Sequence, residues 1–184
     1  MMTMNYLNVT KFAVCLGIVI NSLGLGSVLA VNPPSRVPMK GYSTTYAQVS
    51  SLVDQQPGKK IQFESQDGVK GMTVTKDAIT VLRSGIYLLV ASPQVTALED
   101  NGCIDVWLVL NGKDVANSGV RQCQSTKEST DVVVSQMILE LQKGDTIQVQ
   151  TNGKGVKLDA IQPKQGAFIP SIIFTVLGLS TSAK

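Results

Sequence analysis

The chain has 184 residues, with 16 Lys and Arg against 13 Asp and Glu, a formal net charge of +3. Its basic residues are scattered and not interleaved with aromatics, so a nucleic-acid partner is not expected. Histidine is absent, which removes Ser-His-Asp and Cys-His nucleophile pairs and His-based zinc sites, because imidazole is the usual base near neutral pH.

Residues 1–30 read as an export signal. Lys11 is the only charge before Arg36, and the apolar run Phe12-Ala13-Val14-Cys15-Leu16-Gly17-Ile18-Val19-Ile20 follows it. Val28-Leu29-Ala30 then places small residues where a signal peptidase cuts. The alternative is a retained anchor, since Phe12 to Ala30 is 19 residues, borderline for spanning a bilayer. Only in that case is a membrane partner expected. Cleavage predicts a secreted protein, extracellular or periplasmic. Residues 31–46 hold three prolines and a glycine and predict an extended linker.

Residues 47–180 alternate short β-rich runs with turn signals. Lys60-Ile61-Gln62-Phe63-Glu64 alternates polar and apolar, and Gln66-Asp67-Gly68 is expected to turn. Met72 to Thr75 and Ile79 to Val81 are short β-branched pieces. Ser84-Gly85 leads into Ile86 to Ala91, and Ile104 to Leu110 is closed by the turn Asn111-Gly112-Lys113-Asp114. Asp131 to Leu141 and Thr146 to Gln150 follow. Asn152-Gly153 is expected to turn, Ser171 to Leu179 closes the domain, and residues 181–184 form a tail. Many short strands with turns every 8–12 residues predict a sandwich or barrel.

Cys15 leaves with the signal, so Cys103 and Cys123 remain. A hairpin centred on Lys113 sets Asn111 against Val115 and Cys103 directly against Cys123, at a spacing a disulfide accepts. Two reduced thiols are the alternative. Two runs are apolar on both faces: Ile86 to Ala91, and Ile172 to Leu179. An antiparallel strand with one wet face should alternate. The second face therefore needs cover, either by another subunit or by a long loop.

These pieces, in order, resemble the jelly rolls of the complement component 1q and tumour necrosis factor superfamily. They are Ala47-Gln48-Val49 with Gln56 to Phe63, then Gly85-Ile86-Tyr87 with its strand, then Trp107 to Lys113. Leu139-Glu140-Leu141-Gln142-Lys143-Gly144-Asp145-Thr146-Ile147-Gln148-Val149 and Ser171 to Leu177 complete the set. The resemblance implies an all-β, two-sheet antiparallel jelly-roll sandwich of about ten strands, assembled as a trimer. It implies that the Gly-x-Tyr strand and the closing strand lie near the threefold axis, with Tyr87, Leu89, Ile173 and Leu177 at the subunit interface. Some relatives bind calcium near the top of the trimer. Glu99, Asp100 and Asp105 are the acidic residues in a comparable loop, although a solvated turn accounts for them better than a calcium site. The collagen stalk typical of complement component 1q relatives is missing.

No enzymatic activity is expected. Neither Ser35 nor Ser125 has a lysine three residues on, and Gly153-Lys154-Gly155 lacks the spacing of a phosphate loop. No other cofactor is implied. The sequence thus predicts a secreted binding module acting as a homotrimer, its ligand an extracellular protein or glycan met by loops 97–102 and 117–129. A surface-coat or matrix component and a carbohydrate-binding jelly roll are the alternatives.

Overall fold

A computed structural model describes residues 44–181; the expected signal at 1–30, most of the linker and residues 182–184 lie outside the described residues. Thirteen strands follow one another. They are β1 (Tyr46–Ser51), β2 (Ser65–Lys70), β3 (Met72–Val74), β4 (Ile79–Val81), β5 (Gly85–Ala97), β6 (Gly102–Leu110) and β7 (Lys113–Asp114). Then come β8 (Val120–Gln124), β9 (Thr130–Val132), β10 (Ser135–Leu141), β11 (Thr146–Lys154), β12 (Val156–Leu158) and β13 (Ile172–Thr181). The excess over ten comes from two- and three-residue pieces, which exist only because a neighbour pairs with them. Tyr46, the last residue of the expected linker, already belongs to β1, and Thr181 of the expected tail ends β13.

All pairings are antiparallel, in two sheets. The first runs β10-β5-β13-β1-β2, with β9 and β12 also on β5. The second runs β3-β4-β11-β6-β7, with β8 also on β6. The core lies between them and is built by strict alternation. Tyr87, Leu89 and Ala91 on β5, Phe174 and Val176 on β13, and Ala47 and Val49 on β1 point inward from the first sheet, each 0% exposed. Ile104, Val106 and Leu108 on β6 and Ile147 and Val149 on β11 meet them from the second. Phe63 stacks on Phe174 with ring centroids 6.0 Å apart, an offset contact that adds to its burial.

Several buried polar groups are paired, two of them across the layers, whereas the Thr45 and Thr151 hydroxyls are buried without a partner. The Tyr87 hydroxyl donates to the Arg83 carbonyl at 2.7 Å. Ser135 Oγ on β10 donates to the Ser118 carbonyl at 2.7 Å, and Ser118 Oγ accepts from the Leu108 amide at 3.0 Å. Gln124 Nε2 on β8 donates to the Val95 carbonyl on β5 at 2.8 Å. Such links fix how one sheet sits on the other, because leaving any of these groups unpaired would be costly.

Four local expectations change, the first being that the run Asp131 to Leu141 divides into β9 and β10. Residues 60–64 make only an isolated bridge at Lys60, although Ile61 and Phe63 are buried as the alternation implied. Gln66-Asp67-Gly68 lies inside β2, where a register shift at Gln48/Val49 absorbs Asp67 and the Ser50 and Ser65 hydroxyls bond its carboxylate. Asn152-Gly153 lies inside β11. Its glycine permits a close crossing, since a Cβ there would come within 2.6 Å of the Cys103 carbonyl, and the chain turns instead at Gly155, with φ of 68°.

Candidate binding surfaces

The outward face of the first sheet is set by register. Opposite residues in an antiparallel pair share a face, and Ile138 faces Leu88, Leu88 faces Leu177, and Leu177 faces Tyr46. One apolar row therefore crosses β10, β5, β13 and β1. Ile86 and Ile173 extend it, 45% and 37% exposed, and Ile138 is 60% exposed. Between these residues lie Val90, Ser92, Thr175 and Gln48. No charged side chain stands on the outward face of β5 or β13; charge enters at the rim, with Glu140 on β10 and Lys70 on β2.

Two of the four expected interface residues are thereby corrected. Ile173 and Leu177 do face outward. Tyr87 and Leu89 do not. Leu89 lies opposite Val176, and both are 0% exposed, while Tyr87 is wholly buried with its hydroxyl bonded inside the domain. These two cannot meet another subunit; Ile86, Leu88 and Val90 occupy that face instead. The sequence missed them because a strand apolar on both faces does not reveal which parity is inward.

The acidic residues Glu99, Asp100 and Asp105 are not brought together, and among the described residues no group of three or more Asp, Glu or Cys side chains forms a metal cluster. Asp100 Oδ1 accepts from the Lys127 amide at 2.7 Å, tying loop 97–102 to the β8–β9 connection. Asp105 is held bidentately by Arg121, at 2.6 and 2.8 Å. That guanidinium keeps the Asp105 carboxyl below its ordinary range.

Cys103 and Cys123 are disulfide-bonded across β6 and β8, with Cα atoms 4.1 Å apart. The expected pairing holds, but the hairpin that makes it differs. Asn111 and Gly112, with φ of 52° and 77°, form a two-residue turn that sets Leu110 against Lys113 and Val109 against Asp114. Val106, however, faces Val120. The second arm thus spends three more residues than the first between those pairs, and Val115 to Gly119 bulge away before the register is regained. Reducing the bond should lower stability by about 3 kcal/mol on the chain-entropy account, or about 10 °C in Tm for a domain of this size. Calorimetry with and without dithiothreitol checks this, and an unchanged Tm would contradict it.

At the loop end, Lys157 Nζ lies 2.7 Å from Asp54 and 2.8 Å from Asp159. Asp54 also accepts the Ala160 amide at 2.9 Å, so this cluster pins the β1–β2 connection to the segment after β12. The hydrogen bond from Lys157 lowers the Asp54 pKa below 3.8, while bonds to Asp159 and Asp54 raise that of Lys157 above 10.5. The Asp54 contribution is therefore present above pH 3.8 and lost as pH falls through its folded value. The Lys157 contribution is present below pH 10.5 and lost as pH rises through its folded value. Urea midpoints of Asp54→Asn should fall below wild type near neutral pH and converge on it in acid. The gap should be under about 1 kcal/mol, because Asp54 is half-exposed and screened; a constant gap down to the acid limit would contradict the assignment.

No family model and no curated protein matches the chain. Among solved structures, the globular domain of zebrafish complement 1qA protein superposes with a TM-score of 0.52 at 16% identity, over 76% of this chain and 100% of that one. The domain shares the jelly-roll fold of that structure. At this identity the likeness fixes the fold alone. The two strands that are apolar on both faces, β5 and β13, are neighbours within the first sheet.

Proposed function

We propose that the chain is exported and acts as a homotrimeric, non-enzymatic recognition module outside the cytoplasm. The observation that carries this reading is the uncharged outward face of β5 and β13, crossed by the row Ile138, Leu88, Leu177 and Tyr46. A monomeric soluble domain rarely leaves so contiguous an apolar band in water. The occupant is a second and third copy of the same face, as the complement 1q-like fold and its central pair of strands support. The disulfide fits an oxidising compartment, and the export signal read in residues 1–30 agrees with it.

In a trimer closed through the first sheet, the loops and the second sheet remain free to meet a ligand. The test is capture: the intact oligomer is presented to arrays of extracellular proteins and glycans. Reproducible, saturable binding supports the recognition role. Ordered particles or surface arrays that form without binding anything would replace it with a structural coat.

A further inference from the structure

The bulge at Val115 to Gly119 opens a groove on the outer face of the second sheet, the layer opposite the proposed interface. Its volume is about 530 Å³, and it is lined by Asp105, Trp107, Asp114, Val115, Gly119 and Arg121 among others. The floor and the rim differ in character. Trp107, the chain's only tryptophan, is partly exposed there, and its Nε1 donates to Asp114 Oδ1 at 2.8 Å, which fixes the indole edge. The rim on one side is the bidentate Asp105–Arg121 pair. Two of the five guanidinium N–H groups are used by Asp105, and three remain to donate. The carboxylates of Asp105 and Asp114 each keep acceptor capacity. Across β6, the neighbouring strand sets Gln150 opposite Trp107 and Asn152 opposite Asp105, adding carboxamides to the same face.

We propose that this groove binds a neutral saccharide. An indole fixed by its edge offers a flat apolar surface to the C–H face of a sugar ring, and planar forks of donors and acceptors around it match vicinal hydroxyls. Charge selects against the other candidates. Asp105 and Asp114 outnumber Arg121, and Arg121 is already paired with a carboxylate, so phosphate, sulfated or sialylated ligands meet net repulsion. The inference rests on the recognition reading above and names the ligand class.

The lone tryptophan makes the test local, since its emission reports this groove and no other place. Neutral β-linked hexasaccharides of glucose, galactose and N-acetylglucosamine are titrated into the wild-type protein, with sulfated and sialylated glycans and a lysine-rich peptide as competitors. At least one neutral hexasaccharide should shift Trp107 emission saturably, with a matching heat in calorimetry. Gly119→Phe should then weaken binding at least about tenfold. A Cβ at Gly119 would meet nothing within 4 Å, so the backbone accepts a side chain there; the ring is expected to obstruct the groove while circular dichroism and oligomer mass equal wild type. Asp114→Ala, which frees the indole edge, should weaken binding similarly. No response to any neutral hexasaccharide up to about 10 mM overturns the proposal, as does binding that ignores both substitutions or binding of the competitors alone. Each of these would leave the oligomer mass, and with it the trimer, unaffected.

Discussion

Leu88→Glu should yield a folded monomer. Leu88 stands at the middle of the outward row, directly between Ile138 and Leu177, and is only partly buried within its own chain. In an isolated subunit the glutamate would reach water at little cost. In a trimer closed on this face it would be an unpaired charge buried among apolar side chains, a penalty of about 3–5 kcal/mol for each copy. Three such penalties exceed what a modest interface supplies, so the mass should drop to one subunit while the β-sheet circular dichroism remains. Persistence of the oligomer would place the contact elsewhere, and loss of the β signal would show that Leu88 serves the core.

Tyr87→Asp is the opposite case, one residue away. Tyr87 is 0% exposed and its hydroxyl is bonded to the Arg83 carbonyl. Replacing it removes a large packed ring and installs a carboxylate with no water and no partner. The loss should exceed about 6 kcal/mol, the lost ring and the unpaired buried charge together, which is comparable to the whole stability of a marginal domain. Expression in inclusion bodies, or a purified chain without a cooperative thermal transition, is the expected result. A soluble, cooperatively folding monomer would instead restore Tyr87 to the interface. Tyr87→Phe, which keeps the ring and loses one hydrogen bond, should cost about 1 kcal/mol and leave assembly intact.

The contrast between these neighbours explains what the sequence could and could not reveal. Strand content, order and the two doubly apolar strands were legible, because alternation and turn residues are local signals. The parity of β5 was not. Both faces of Ile86 to Ala91 are apolar, and only the register with β13 decides that Leu89 shares the core with Val176. The disulfide was legible for a different reason: Cys103 and Cys123 pair because the bulge adds three residues to one arm, which displaces the hairpin's apparent centre from its true turn. The groove beside Trp107 was illegible. Val115 to Gly119 carries no motif that distinguishes a bulge from a longer turn, and Arg121 reaches Asp105 only once that register is set. The acidic residues misled because closeness in sequence is not convergence; Asp100 and Asp105 point to different partners.

The outward face of the first sheet carries the whole account of assembly, and gel filtration with multi-angle light scattering on the purified protein tests it directly. At micromolar concentration the protein should elute as one species with three times the subunit mass, and dilution should not change it until far lower concentrations. A single sharp species of one subunit mass, with Ile138, Leu88 and Leu177 left in water, would contradict it.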